Sequence, residues 1–252
     1  MNRNDKQAYD RGTSLFSPDG RIYQVEYARE AVKRGAPVLG VRTADGVVLA
    51  ALRSTPSDLM EAESIEKLHK LDDALGAATA GHVADARKLV DFARTTAQRE
   101  HLRYGEPIGV ETLTKTITDN IQESTQSGGT RPYGASLLIG GVENGSGRLF
   151  ATDPSGTPQE WKAVAIGGHR EDVQAALEDG YAEDLSLEDG LALAVEALVA
   201  ADDEIESDEL NLVTVSEAGY EIVDEETIAE LFADATADAE SDDADETGES
   251  EE

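Results

Sequence analysis

The spacing of apolar and polar residues changes period several times along the chain, and each period predicts one type of secondary structure. Apolar residues three or four positions apart predict helices at 21–34, 82–104, 110–127, 171–181 and 187–201, and a last short helix that ends near Phe232. Alternating or continuous β-branched runs predict strands at 37–43, 47–53, 67–71, 75–80, 135–142, 148–153, 160–166, 212–216 and 220–223.

The order of these segments predicts the fold class. Groups of strands are separated by pairs of helices, whereas a doubly wound parallel sheet would alternate single strands with single helices. We therefore expect an α+β protein of the broad α/β class, with two antiparallel sheets and helix pairs outside them. Residues 1–16 are interpreted as an N-terminal arm, 17–232 as one domain, and 233–252, with ten acidic residues and only alanine as an apolar residue, as a disordered acidic tail.

Charge is distributed unevenly along the sequence. The formal net charge is −32, and residues 171–252 hold 31 of the 53 acidic residues and none of the 21 basic residues. Such a field repels phosphate and anionic lipid, so we expect neither a nucleic acid nor a membrane as a partner. Adaptation to molar salt, where the screening length falls to about 3 Å, is favoured over a specific cation-binding role.

Several kinds of chemistry are excluded by residues that the sequence lacks. Without cysteine there is no disulfide, thiolate nucleophile or cysteine-ligated metal. The phosphate-binding motif G-x-x-x-x-G-K-[ST] does not occur, and the histidines form no pair at i, i+4, so we expect no metal or cofactor and assign the histidines surface or helix-cap positions. They are His69, His82, His101 and His169. No apolar run approaches the roughly 20 residues that span a bilayer, so a soluble, cytoplasmic protein is expected.

A set of short motifs carries the strongest functional signal. They are Tyr9-Asp10-Arg11, Phe16-Ser17-Pro18-Asp19-Gly20-Arg21, Gln24-Val25-Glu26-Tyr27-Ala28, Glu30-Ala31-Val32, Ser64-Ile65-Glu66-Lys67, Ala84-Asp85-Ala86-Arg87, Leu89-Val90-Asp91-Phe92-Ala93-Arg94 and Arg131-Pro132-Tyr133-Gly134. In order and spacing, the chain closely resembles proteasome α subunits, archaeal ones in particular, over about residues 8–232. The resemblance implies a four-layer αββα sandwich of the N-terminal-nucleophile hydrolase type with an extra N-terminal helix. Together with the acidic composition, it also indicates a halophilic archaeal source.

The resemblance further implies how the subunits assemble and which of them are catalytic. Seven α subunits would form a ring, and two such rings would cap two rings of catalytic β subunits and admit unfolded protein substrates. Catalytic relatives use a threonine exposed as a new N-terminus, assisted by an acid and a lysine. Here the strand after Gly35 begins Ala36-Pro37, and the acid position falls on Leu52 or Arg53. The chain is therefore expected to be a non-catalytic subunit of a threonine-type endopeptidase complex.

Lys67 matches a lysine that has another role in α subunits. In the family, C-terminal tails of a regulatory AAA ATPase, ending in hydrophobic-Tyr-X, enter pockets between α subunits, and the lysine pairs with the terminal carboxylate. The positions that match this docking pocket are Lys67, Gly20, Arg21, Gly81, His82 and Val83. The alternative is a lysine solvated on a strand edge, with no such role.

The resemblance also assigns a gate and a pore constriction. The gate positions are Tyr9, Asp10, Arg11, Gly12, Pro18 and Tyr27, and hydroxyl–carboxylate pairs of this kind can form a two-state switch. The constriction loop is Ser127, Gly128 and Gly129, where the family commonly has Tyr-Gly-Gly. The opening is therefore expected to be wider or more polar.

Two other functions remain open on the sequence alone. One is an autonomous N-terminal-nucleophile hydrolase that uses an internal hydroxyl after processing, with a mature chain beginning at Thr13, Ser14 or Thr43. The other is an acidic structural scaffold ring without a gated pore.

Overall fold

The computed structural model describes residues 23–55, 57, 59–126, 131–202 and 204–248. The helices are α1 (Tyr23–Lys33), α2 (Val83–Tyr104), α3 (Val110–Gln126), α4 (Arg170–Gly180), α5 (Leu187–Val199) and α6 (Glu225–Gly248). The strands are β1 (Val38–Arg42), β2 (Gly46–Leu52), β3 (Leu68–Asp72), β4 (Leu75–Gly81), β5 (Ala135–Glu143), β6 (Ser146–Thr152), β7 (Pro158–Glu160), β8 (Ala163–Ile166), β9 (Leu210–Ser216) and β10 (Gly219–Ile222). Short 3₁₀ turns lie at Ala62–Ser64 and Ser207–Glu209.

Ten strands within the described residues form two five-stranded sheets. The first sheet has the order β10-β9-β2-β1-β8, and the second has the order β3-β4-β5-β6-β7. The pairings described within each sheet are antiparallel. The predicted α+β architecture with two antiparallel sheets is therefore confirmed.

The central strands are buried on both faces, which explains why they are apolar without a break. All seven residues of β2 are buried. Because side chains alternate along a strand, Val48 and Ala50 pack under the outer helices, while Val47 and Leu49 pack against the second sheet. A strand covered on both sides needs apolar residues at every position, so its sequence shows no alternation.

In the described part of the chain, three apolar cores separate four layers. The core between the sheets includes Leu49, Leu138, Leu149 and Val213. One outer core packs α4, α5 and α6 on the first sheet, and the other packs α2 and α3 on the second. The predicted four-layer sandwich, with α1 as an additional N-terminal helix, is confirmed.

The predicted strand at 160–166 is wrong, because this segment is divided between the sheets. β7 ends at Glu160 and pairs with β6, whereas β8 begins at Ala163 and pairs with β1. At the crossing, the Trp161 amide donates to the Leu149 carbonyl at 2.9 Å, and the Lys162 carbonyl accepts from the Arg42 amide at 2.7 Å. The backbone thus changes sheets in two residues while its polar groups stay paired.

The last helix is longer than the sequence pattern predicts. α6 runs from Glu225 to Gly248, so the predicted helix end near Phe232 is wrong. Alanine and acidic residues continue beyond Phe232 without a proline, and these residues do not interrupt a helix. Ala235 is buried against the outer core of the first sheet, so packing extends past the predicted domain boundary at 232.

The two helical layers differ strongly in charge. α2 and α3 together carry six basic and six acidic residues, whereas α4, α5 and residues 225–237 of α6 carry one basic and 11 acidic residues. The negative charge is thus concentrated on one outer layer. Among the helices described, none combines the length and the apolar character that a membrane span requires.

Candidate functional site

Lys67 lies immediately before β3, and its side chain is directed toward the backbone of two other strands. The Lys67 ammonium donates to the carbonyl oxygens of Ala36 at 2.5 Å and Leu52 at 3.1 Å, and lies 3.5 Å from that of Pro37. These carbonyls belong to the segment that joins α1 to β1 and to the end of β2. The side chain therefore connects three segments that are distant in sequence.

The ammonium lines a cleft of about 780 Å³, which we call the Lys67 cleft. Its walls come from the α1–β1 junction, the end of β2, the segment leading into β3 and the start of α2. The charged and titratable residues in the lining are Lys33, Arg34, Lys67, Arg87, Glu66, Asp202, His69 and His169. Four basic residues thus face two acidic ones, although the chain as a whole is strongly acidic.

Burial lowers the pKa of the Lys67 ammonium from its ordinary value to about 7. Hydrogen bonds to carbonyl dipoles favour the charged form, but no carboxylate of the chain forms an ion pair with this amine within the described residues. A carboxylate that enters the cleft from outside would therefore find an amine that gains from a negative partner.

Ala36 and Pro37, just before β1, carry no nucleophile next to the Lys67 amine. Thr43 is also poorly placed for the hydrolase alternative. Its side chain is buried in the β1–β2 turn, where its hydroxyl oxygen accepts from the Gly46 amide at 3.1 Å. Cleavage before Thr43 would separate β1 from its hairpin partner.

Gly81, His82 and Val83 join β4 to α2, and two of them line the Lys67 cleft. Gly81 has a φ of +107°, and a Cβ there would lie 2.3 Å from the Gly134 carbonyl oxygen. Val83 is 72% exposed at the first position of α2. His82 lines the neighbouring groove instead. Gly20 and Arg21, the other predicted docking residues, lie outside the described residues.

Asp85 links the first turn of α2 to the segment that precedes β5. No role in the site is predicted for it from the sequence. Its buried carboxylate accepts from both terminal nitrogens of Arg131, at 2.6 and 2.8 Å, and from the Gly134 amide at 2.9 Å. Burial raises the pKa of this carboxyl, but the hydrogen bonds from Arg131 and Gly134 outweigh it, and the pKa lies below its ordinary value. The signal available in the sequence was an acid in the first turn of a predicted helix.

Tyr27 is the one predicted gate residue within the described part of the chain. It is 61% exposed on α1 and lines a groove of about 480 Å³ with His82 and Arg131. The other predicted gate residues, Tyr9, Asp10, Arg11, Gly12 and Pro18, lie outside the described residues. So do the predicted pore residues Ser127, Gly128 and Gly129.

Helix α1 is fixed to the second sheet by a charged pair. The Arg29 guanidinium donates to Asp153 at 2.9 and 3.2 Å and to Glu26 at 2.7 Å. Burial alone would raise the pKa of the Asp153 carboxyl, but the hydrogen bonds from Arg29 and Ser155 lower it by more. The pKa of Asp153 therefore lies below its ordinary value. The helix that carries Tyr27 therefore has a defined attachment near its middle.

The histidines do not form a metal site in the described part of the chain. No group of three or more histidine and acidic side chains there could hold a metal ion. His82 and His169 precede α2 and α4 as cap residues. His69 departs from the predicted surface or cap position, because it is buried beside Thr79, with 3.4 Å between its Nε2 and the hydroxyl oxygen.

Two family models match the chain in adjoining parts. The model described as "Proteasome subunit" matches residues 32–215, and a model of the N-terminal signature of α-type proteasome subunits matches residues 9–31. The first match begins within α1 and covers both sheets as far as β9. The second covers the motifs that carried the resemblance at the front of the sequence.

Curated relatives agree with these matches. "Proteasome subunit alpha 2" of Haloferax volcanii is 98% identical over 246 residues, which cover 98% of this chain and 99% of that protein. "Proteasome subunit alpha 1" of the same organism is 61% identical over 84% of each chain, and "Proteasome subunit alpha" of Natronomonas pharaonis is 55% identical over 98% of each. The expected likeness to halophilic archaeal proteins is thus confirmed. The chain belongs to the proteasome subunit family, as a member of the α type.

Proposed function

We propose that this α subunit forms the seven-membered outer ring of a cytoplasmic proteasome core particle. The ring admits unfolded protein substrates to the catalytic β subunits and docks the C-terminal tails of a regulatory AAA ATPase. The observation that carries this function is the Lys67 cleft, in which a buried amine faces Ala36 and Pro37 instead of a nucleophile. An amine with nothing to activate can serve as a binding group, and the subunit itself is non-catalytic.

Docking is supported by the charge of the cleft. Lys33, Arg34 and Arg87 line it together with Lys67, so a peptide carboxylate is attracted into one basic region of an acidic protein. Charge-assisted hydrogen bonds to a carboxylate are stronger than those to a carbonyl. The exposed Val83 supplies an apolar wall for the side chains that precede the carboxylate.

Gating is supported by the position of Tyr27. It is exposed on α1, which begins at Tyr23 and comes after the proposed arm of residues 1–16 in the sequence, and it borders an open groove. Seven copies of the arm would meet at the ring axis, and the tyrosine could hold one arrangement of them. The remaining gate residues and the constriction at Ser127 are part of the same proposal.

Assembly with β subunits is supported by the layer formed by α2 and α3. This layer is electrically balanced, unlike the layer of α4, α5 and α6. Near the end of α2, Leu102 is 88% exposed and Tyr104 is 64% exposed. Exposed apolar residues on a neutral surface are suited to a permanent protein interface, so we place the β ring against this layer.

The docking function is tested in core particles reassembled with β subunits. Lys67→Met keeps the length of the side chain and removes its charge, and we expect it to abolish ATPase-stimulated protein degradation while particles still form. Lys70→Met is the matched control, because Lys70 lies on β3 and pairs with Asp73 outside the cleft. Retained stimulation in Lys67→Met particles would exclude the cleft as the docking site.

A further inference from the structure

Lys67 differs from the other lysines of the described chain in its surroundings. Lys67 is partly buried, whereas the others are exposed: Lys33, Lys70, Lys88, Lys115 and Lys162. Four of the exposed lysines pair with a carboxylate, on Glu30, Asp73, Glu111 and Glu183. The partners of Lys67 are backbone carbonyl oxygens instead. Its amine is therefore held in place without a counter-charge.

The Lys67 amine can lose its proton and still keep its two shorter hydrogen bonds. The contacts with Ala36 at 2.5 Å and Leu52 at 3.1 Å are shorter than the contact with Pro37 at 3.5 Å. A neutral amine has two N–H groups and a free electron pair, which makes it a nucleophile. Because burial lowers the pKa of Lys67 to about 7, roughly half of the amine is neutral at pH 7. A lysine of ordinary pKa is neutral in fewer than about 1 in 1,000 molecules at that pH.

The Lys67 cleft has the size and the charge to take an anionic small molecule. Its volume of about 780 Å³ lies within the roughly 300–1,000 Å³ that is usual for small-molecule sites. Arg34 and Arg87 line it, and neither guanidinium forms an ion pair within the described residues. Guanidinium groups bind phosphate through paired N–H donors. The cleft thus combines a nucleophile with two groups that can hold a phosphate.

We propose that Lys67 is a site of covalent modification by acyl phosphates. The nitrogen attacks the carbonyl carbon of the donor, a C–N bond forms, and the bond from that carbon to the phosphate oxygen breaks. Phosphate leaves with the electron pair of the broken bond and takes the proton that the amine gives up. The products are an amide and inorganic phosphate. The amide retains one N–H, which is enough for the shortest hydrogen bond, to Ala36.

Acylation changes what Lys67 can bind, because it removes the positive charge. An acylated Lys67 has no ammonium to pair with the carboxylate of a docked tail, so acylation and docking exclude each other. This consequence rests on the docking function proposed above, whereas the modification itself does not. The two are therefore measured separately.

The first experiment treats the full-length subunit with acetyl phosphate at pH 7.5 in molar salt. The sequence has seven lysines, so mass spectrometry of its peptides can follow acetylation at each of them. We expect Lys67 to be acetylated at least fivefold faster than Lys70, which is exposed and paired with Asp73 at 2.7 Å. A smaller ratio would overturn the proposal.

The second experiment tests whether the cleft recognises the phosphate of the donor. Acetyl phosphate is compared with the N-hydroxysuccinimide ester of acetic acid, which is neutral and acylates the same amine. We expect Arg87→Gln to lower the ratio of the two rates at Lys67 at least threefold, because a phosphate contact is lost. Arg99→Gln, at an exposed position of α2 outside the cleft, should leave the ratio unchanged. A smaller effect of Arg87→Gln would exclude acyl phosphates as the class of donor that the site selects.

The third experiment separates the modification from docking in reassembled core particles. After treatment with acetyl phosphate, the loss of ATPase-stimulated degradation should follow the acetylated fraction of Lys67 and not that of Lys70. Full stimulation of particles that are acetylated at Lys67 would overturn the docking function and support the modification site. Particles that stay unmodified at Lys67 would overturn the modification site and leave docking intact.

Discussion

At the scale of single residues, Lys67 takes its properties from the backbone around it. Burial lowers its pKa from an ordinary 10.5 to about 7. Between these values the unfolded chain binds a proton that the folded chain does not bind. Stability therefore rises with pH through this window, by up to about 1.4 kcal/mol per pH unit. Below pH 7 both states are protonated, so this dependence on pH is absent.

Lys67→Met should remove that slope. We expect the free energy of unfolding of the variant to rise less between pH 8 and 10 than that of wild type, because one proton-linked group is lost. The range lies above the titration of His69, which lines the same cleft and whose pKa is lowered by burial. Urea unfolding at several pH values in molar salt measures the effect, with Lys70→Met as control. If the free energy of unfolding rises equally with pH in wild type and Lys67→Met, the lowered pKa of Lys67 is contradicted.

Asp85 gives a second prediction at this scale. Asp85→Asn keeps the shape of the side chain but removes the charge that Arg131 and the Gly134 amide share. We expect a loss of about 1–3 kcal/mol of unfolding free energy, because hydrogen bonds to a buried charged group are worth more than neutral ones. Asp91→Asn, at an exposed position of the same helix, should change stability by less than about 0.5 kcal/mol.

The same two residues show what the sequence can reveal about a site. Lys67 was found because it lies in a recognisable motif, Ser64-Ile65-Glu66-Lys67. Its partners are backbone carbonyls 15 and 31 positions away. Every residue has a backbone carbonyl, so the pattern of side chains cannot indicate which carbonyls accept from Lys67. The Asp85–Arg131 pair is 46 positions apart, so only the folded chain brings it together. Motifs thus identify residues, whereas their partners depend on tertiary structure.

At the scale of elements, the sequence predicts types better than boundaries. Apolar periodicity located the helices and most strands, because each element must bury one or both faces. It failed at 160–166, where continuous β propensity cannot show that the chain leaves one sheet for the other at Trp161. It failed again at Phe232, because loss of apolar residues marks the end of packing and not the end of a helix.

The first turns of α6 belong to the core, and this can be measured. Ile228 is 5% exposed and packs with α5 against the first sheet, whereas Ile222 on the edge strand β10 is 78% exposed. Ile228→Ala should cost about 2–4 kcal/mol of unfolding free energy, and Ile222→Ala should cost less than about 1 kcal/mol. Similar losses for both variants, in urea unfolding, would mean that α6 does not pack as described.

At the scale of the whole molecule, the proposed contact with β subunits lies on the helical layer whose charge is balanced and not on the acidic layer. We expect Leu102→Glu to prevent stacking of α rings on β rings, because it places a carboxylate in an apolar interface. Ile222→Glu is the control, with a similarly exposed isoleucine on the first sheet. Native mass after mixing with β subunits measures the outcome. Assembly of Leu102→Glu particles at wild-type yield would place the β ring elsewhere.

The acidic layer also predicts that formation of the proposed ring depends on salt. A ring of seven 26.8 kDa subunits has a mass of roughly 188 kDa, and stacked rings have twice that. In 1 M salt the screening length is about 3 Å, but it is about 8 Å at 0.15 M, where acidic layers of neighbouring subunits repel more strongly. We therefore expect native mass measurements to find the ring in molar salt and smaller species on dilution.

Deletion of the last residues of the chain distinguishes charge repulsion between subunits from a specific effect of salt on the fold. Residues 238–252 hold nine acidic residues and no basic ones. If repulsion drives dissociation, deletion of these residues should lower the salt concentration at which half of the rings dissociate. The ring in molar salt should be unchanged. Equal midpoints for the full-length and shortened chains would assign the salt dependence to the domain itself, where helices α4 and α5 carry seven acidic residues against one basic residue. In that case, replacement of single acidic residues on those two helices by lysine should move the dissociation of the ring to lower salt.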